Sequence, residues 1–359
     1  STAAPNTVLD FVNSAETINT TDTSAASRSI ATGSTSTPVT LDIDGDEGVL
    51  LQVMTNLTLD IFGFVQMNGS LAFKKATGSF VLTNGTTHSS TSLSNVSYLE
   101  VGGSVTAFAG VGSIGFRLTD VAFGMLMVGD TKGTVATTDD VNYLALKANV
   151  GSASLEGIDG LTASVTSLSV QVNKTSSTAA PNTVLDFVNS AETINTTDTS
   201  ASSRAISTGA TSPAVMLDLD GDEGVLLQVM TSLSLDLFGF VQLKGGFAFK
   251  KSSATVKLSD GTSQQVNLLT VGAGNVNAFA GVNGPYILND NGTPNDFTDD
   301  TTNPAALGLS LHNVNFAMAL ISVPKPVTAP GTPQPPATGA GVDLRTWTTF
   351  KASVGSAEF

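Results

Sequence analysis

The chain has no cysteine, which removes disulfides, thiolate nucleophiles and cysteine-ligated zinc in a single step. Charge is nearly as scarce. Charged residues fill 13% of the 359 positions, about half the usual share, and the helix formers Glu, Lys, Arg and Gln are thin throughout. Fifteen basic residues face thirty acidic ones, a net charge of -15, and no Lys/Arg cluster with interleaved aromatics offsets it. Nucleic acid is therefore excluded as a natural partner. No apolar run reaches the roughly 18 residues that span a bilayer as a helix; the densest, VAFGMLMVG from Val121, is half that length and reads as a buried strand. The strings HExxH, GxSxG and Walker A are also missing. GVGSIG at Gly110 matches the dinucleotide-binding glycine pattern, but no helical period or acidic partner follows it, so it reads as a turn. The only two histidines, His88 and His312, occupy non-equivalent places, which argues against a catalytic base or a zinc pair. No enzyme is expected.

What the sequence does contain is Gly, Thr, Ser, Asn, Ala and Val, with 41% hydrophobic residues, enough to bury real cores. That composition belongs to β-rich extracellular proteins. An acidic, cysteine-free β chain fits a bacterial exported protein.

The strongest signal is an internal repeat. STAAPNTVLDFVNSAETINTTDTSA at Ser1 returns letter for letter at Ser177, and an offset of 176 holds without a gap from Ser1 to Lys75. LDIDGDEGVLLQVMT at Leu41 becomes LDLDGDEGVLLQVMT at Leu217, and FGFVQ recurs at Phe62 and Phe238. Further on, TAFAGV at Thr106 matches NAFAGV at Asn277, LTDVAFGMLM at Leu118 matches LHNVNFAMAL at Leu311, and YLALKANVGSASL at Tyr143 matches WTTFKASVGSAEF at Trp347. Two β-repeat units follow, residues 1–176 and 177–359. The second is incomplete at its C-terminal end and carries insertions near 283–306 and 322–343. The copy that stops in mid-repeat points to a longer array and to self-association through neighbouring repeats, end to end.

From Leu57 to Phe73 every second residue is apolar or Gly, and Leu233 to Phe249 keeps the same pattern. Period two predicts extended strand with that face buried and a bend or bulge at Gly63 or Gly69. LTNGTT at Leu82, LSDGTS at Leu258 and GIDG at Gly157 are turn signals between alternating runs. The expected fold is all-β, an elongated tandem-repeat structure of long antiparallel strands, sandwich-like or a continuous sheet. A β-solenoid is the alternative. The Ser/Thr/Asn-rich stretch from Asn13 to Thr37 is expected as a surface strand or ordered loop on the unit, and PKPVTAPGTPQPP from Pro324 as a stiff surface loop.

Metal ligation has two candidate segments. DIDGDEG places Asp42, Asp44, Asp46 and Glu47 in an alternation echoed by Asp218, Asp220, Asp222 and Glu223, resembling the first half of a calcium loop. Twelve residues on from Asp42 there is no bidentate Glu, so a tight acidic turn between strands is the preferred reading. The insertion NDNGTPNDFTDD carries Asp290, Asp296, Asp299 and Asp300, a density of oxygens that also suits calcium.

Taken together, LDxDGDEGVLLQV, FGFVQ, AFAGV, the Asp/Asn-rich loop, LGLSLHNVNFAMAL and WTTFKASVGSAEF resemble the modules tandemly repeated in very large bacterial exported proteins of the calcium-binding, RTX-adhesin-like kind. The resemblance implies an extracellular or cell-surface location, a role in adhesion or fibre building, and no enzyme activity. A glycan- or ligand-binding module is the alternative function, with Trp347, Tyr98, Tyr143 and Tyr286 as the only Trp or Tyr available to stack on a sugar.

Overall fold

The computed structural model of the chain describes residues 8–12, 27–33, 36–45, 48–188, 202–289, 291, 299, 301–324 and 343–359. Strand dominates, and no α-helix occurs among these residues. The first unit supplies β1 (Arg28–Ile30), β2 (Val39–Leu41), β3 (Leu51–Ile61), β4 (Val65–Asn84), β5 (Ser89–Val111), β6 (Ile114–Asp130), β7 (Val141–Glu156) and β8 (Leu161–Thr175). The second begins with three short strands, β9 (Thr183–Asp186), β10 (Arg204–Ile206) and β11 (Val215–Leu217). It continues with β12 (Leu226–Leu237), β13 (Val241–Lys257), β14 (Ser263–Val282), β15 (Ile287–Asn289), β16 (Thr301–Thr302), β17 (Leu307–Ser322), β18 (Thr346–Ser353) and β19 (Ser356–Glu358).

One antiparallel meander runs in the order β3, β4, β5, β6, β7, β8, β12, β13, β14, β17, β18, with β9 added to β4 and β19 to β17. The turns fall at the predicted Gly-containing sites, between β4 and β5, β7 and β8, and β13 and β14. GVGSIG is the hairpin turn between β5 and β6. Such hairpins exclude the solenoid. The sheet also crosses the repeat boundary without a break, because β8 pairs with β12 from Leu226↔Asn173 to Leu237↔Leu161.

The two copies share backbone detail. Phe62 and Phe238 take positive φ of 52° and 55°, the following Gly63 and Gly239 both lie at 72°, and Asp60 and Asp236 each accept the amide of that glycine at 2.7 Å. Consecutive left-handed residues reverse the chain. The run from Leu57 to Phe73 is therefore two strands of a hairpin, not one long bent strand. Leu57↔Gly69, Leu59↔Met67 and Ile61↔Val65 face each other across it, which is how the period-two pattern survives the reversal.

A second correction concerns which face is buried. The core of the first unit lies on the opposite side of the sheet, over Ala76, Phe80, Tyr98, Leu126, Val128, Tyr143 and Ala145. Phe73, in the expected apolar face, is 48% exposed. What covers the other side is the leading segment of the second unit. β9 lies antiparallel to the end of β4, with Val81↔Asp186 and Asn84↔Thr183. The β10–β11 hairpin lies across β5, β6 and β7. Leu185, Phe187, Ile206, Leu217, Leu219 and Leu226 close the core from above, each side chain contributing on the order of 1.5–3 kcal/mol by burial.

The described parts of the first copy fold alike, but their apolar side chains stand exposed. β1 and β2 form a separate two-stranded sheet. Leu185 is 0% exposed and its copy Leu9 76%; Ile206 is 0% and Ile30 41%; Val215 is 6% and Val39 55%. Most of the Asn13–Thr37 stretch, and the proline-rich stretch after Pro324, lie outside the described residues.

This asymmetry gives a direct test. Ile206→Ala is expected to cost about 2–5 kcal/mol of stability, whereas Ile30→Ala in dilute solution is expected to stay within about 0.5 kcal/mol of the parent. Urea melts of the two variants measure both values, and equal losses would contradict the assignment of the roof.

Candidate functional site

The contact between the second unit's leading segment and the first unit's sheet is the most elaborately built place in the molecule. Its seat is made of small residues. A Cβ on Gly102 would lie 2.0 Å from the Ser207 carbonyl oxygen, and one on Gly124 would lie 2.8 Å from Cβ of Ile206. The hairpin backbone thus rides directly on the sheet at Gly102, where only glycine lets the carbonyl pass, and the Ile206 side chain packs tightly against Gly124.

Polar groups fix the register. Asn173 donates from Nδ2 to the Leu185 carbonyl at 2.7 Å, deep in the core. Ser70 donates to the Thr208 carbonyl at 2.7 Å. Arg204 Nε donates to Glu100 Oε1 at 2.5 Å, and its guanidinium lies 4.7 Å from the Tyr98 ring centre and 5.2 Å from that of Phe80. A buried carboxylate is thereby paired, and its partner lies against two aromatic rings that meet edge to face. Burial also holds the Tyr143 phenol above its ordinary pKa. Tyr98 and Tyr143 are core residues here and offer no platform to a sugar.

The acidic turn belongs to this same contact. Gly221–Glu223 forms one 3-10 turn capped by Asp220, whose side chain accepts the Asp222 amide at 2.8 Å. Asp218 receives Lys147 Nζ at 2.7 Å from the first unit's sheet, and Glu223 receives Lys250 Nζ at 2.7 Å. Asp222 Oδ1 stands 3.3 Å from His88 Nδ1 in the β4–β5 turn. The four carboxylates thus engage four separate neighbours, and the geometry is that of a pinned turn. In the first copy Asp42 is exposed and Asp44 partly buried, while Asp46 and Glu47 lie outside the described residues. Asp290, Asp296 and Asp300 lie outside them too; Asp299 is exposed, and its backbone carbonyl accepts Asn291 Nδ2. Among the described residues no three His, Asp or Glu side chains gather as a metal-holding group.

Sequence reading missed the carboxylate that organises the turn. Asp186 is 3% exposed, accepts Thr83 Oγ1 at 2.5 Å and the Gly221 amide at 2.9 Å, and so ties β9, the acidic turn and the first unit's β4 together. Its copy Asp10 accepts the Gly45 amide at 3.0 Å in the same way. The signal available was an Asp standing alone in an otherwise apolar run, VLDFV.

A cavity of about 320 Å³ lies in the second unit, where residues 285–289 of the insertion lie over β13, β14 and β17. Ser310 Oγ and His312 Nε2, both 3% exposed, lie 2.8 Å apart on its wall. The Tyr286 ring centre is 5.8 Å from that of His312, and a hydrogen bond to Glu358 raises the Tyr286 pKa above its usual value. The i, i+2 spacing of Ser310 and His312 puts them on one strand face, but the partner comes from a distant insertion. Arg117 and Thr119 hold the matching places in the first unit, so the arrangement is not part of the repeat.

Compared with known proteins, the chain matches no family model, no curated protein and no solved structure.

Two outcomes are expected at the acidic turn. Asp186→Ala leaves the Gly221 amide and Thr83 hydroxyl without their buried acceptor and is expected to cost about 1–3 kcal/mol by urea melting. Millimolar calcium is expected to leave the melting midpoint where magnesium leaves it. A calcium-specific rise that grows with concentration, as linkage demands, would make the turn a cation site.

Proposed function

We propose that the chain is a non-enzymatic structural repeat of an extracellular bacterial array or fibre, adhesive in character. The observation that carries this reading is the junction at residue 176. One sheet runs through it by the β8–β12 ladder, while the segment after it roofs the sheet before it. Each unit therefore leans on its neighbour as repeat arrays do, with stability residing in the interface as much as in the unit. The acidic, cysteine-free composition supports placement outside the cell. The acidic turns remain the places where calcium would enter the assembly.

A second reading, a small-ligand module, draws on the Tyr286–His312 cavity alone. It would use one unit and leave the repeat without a purpose, so the structural reading is preferred.

The chain's single tryptophan, Trp347, reports on the second unit only. Val170 in β8 pairs with Ala148 of β7 and Val229 of β12, and a proline there removes a ladder bond in mid-sheet, where proline is otherwise confined to edges and bulges. Val170→Pro is expected to lower the denaturation midpoint followed by Trp347 fluorescence, although the substitution lies in the first unit. An unchanged midpoint would mean two independent modules and would defeat the array reading.

A further inference from the structure

The second unit repeats the first unit's seat, but among the described residues no hairpin lies on it. In the first unit the roofed face consists of three rows across β4, β5, β6 and β7: Ala72–Gly102–Gly124–Lys147, Lys74–Glu100–Leu126–Ala145 and Ala76–Tyr98–Val128–Tyr143. The ladders of β13, β14, β17 and β18 place their counterparts in the same order: Ala248–Gly272–Ala317–Lys351, Lys250–Thr270–Ala319–Thr349 and Ser252–Leu268–Ile321–Trp347. The first two of these second-unit rows line an open depression of about 420 Å³. Ala72 and Ala145 are buried, whereas Ala248 and Thr349 are exposed.

Gly272 is the telling position. Its counterpart Gly102 must be glycine because the Ser207 carbonyl passes over it, yet a Cβ on Gly272 would meet nothing nearer than the Phe316 carbonyl at 3.8 Å. The seat for a close-riding backbone is present and vacant. The segment that fits it is also present and unseated, since Leu9, Ile30, Val39 and Ile43 stand exposed where Leu185, Ile206, Val215 and Leu219 are buried. The chain's own hairpin cannot reach it. β3, into which that hairpin leads, is seven places from β13 in the sheet, about 34 Å at the usual strand spacing.

We infer that the leading segment of a second copy of this chain, through its described residues 8–12, 27–33 and 36–45, docks on the β13–β14–β17–β18 face, as residues 184–188 and 202–221 dock on β4–β7. This rests on the architectural reading above and names its partner. Complementarity extends to charge, because Lys351 and Asp42 hold the places of the bonded pair Lys147 and Asp218. The seat differs at two places: Ala317 stands where Gly124 lies against Ile206, so the docking isoleucine must shift to pass it, and Ala319 in place of Leu126 on the same strand leaves room for that shift. One contact is lost, for Arg28 meets Thr270 where Arg204 meets Glu100. Association is accordingly reversible and concentration-dependent. The two surfaces differ, so the contact is heterologous and propagates head to tail.

The full chain tests this with two variants. Gly272→Val fills the seat, and Ile30→Asp spoils the hairpin at an exposed position. In sedimentation velocity the parent chain is expected to grow beyond monomer with concentration, with a blue shift of Trp347 emission as the groove closes. Each variant alone is expected to remain monomeric. Their mixture is expected to give a dimer and nothing larger, because one supplies an intact hairpin and the other an intact seat. A parent chain that stays monomeric at every concentration, or variants that associate as the parent does, would overturn the inference. Ile206→Ala separates the two failures. If it destabilises the chain while no association is seen, the roof within the chain stands and only docking between copies falls.

Discussion

Everything in this molecule depends on how closely a backbone can approach a sheet. The Ser207 carbonyl sits over Gly102, and the Ile206 side chain fits against Gly124, at distances that no Cβ would tolerate. That approach brings Ile206 and Leu217 onto Leu126, Val128 and Ala145, and removes all five from water. Once the hairpin is seated, its polar edges find Asn173, Ser70 and Glu100, so that desolvation of the backbone is met by hydrogen bonds. A larger residue at Gly102 would strike the Ser207 carbonyl, lift the roof and forfeit both terms.

The all-β class, the antiparallel hairpins and the turn positions were legible, because period two and Gly-containing turns are local signals. The equivalence of the two copies was legible too, and extends to φ angles at Phe62 and Phe238. The buried face was not. Alternation separates a strand into two faces but does not say which will be covered. Here the face with Leu57, Met67 and Phe73 looked like the core, yet the roof chose the face with Ser70, Ala72 and Gly102. The reason is the nature of the cover: a hairpin arriving backbone-first needs small residues beneath it. The role of Asp186 was hidden similarly, since its three partners lie 2, 35 and 103 residues away.

The repeat also explains why near-identical sequence occupies two environments. Asp10 and Asp186 make the same bond to the same glycine, so the local fold of the leading segment does not require a sheet beneath it. What the sheet adds is burial, seen in Leu9 against Leu185 and Ile30 against Ile206. Local geometry and packing energy are therefore separable in this chain.

The opposite face of the sheet follows different rules. Val53, Phe73, Val101, Met125 and Leu146 stand in register across β3 to β7, and Val53 and Phe73 are about half exposed. Side chains of that size hold any covering layer at the roughly 10 Å of sheet-on-sheet packing, too far for a hairpin to hydrogen-bond down onto the strands. The roofed face differs where the hairpin rests, at Ala72, Gly102 and Gly124, while its larger residues Tyr98, Leu126 and Tyr143 fill the core beside that contact. The small-residue face selects the hairpin because it alone allows contact through the main chain, and that selection fixes the direction in which one unit reaches back over another.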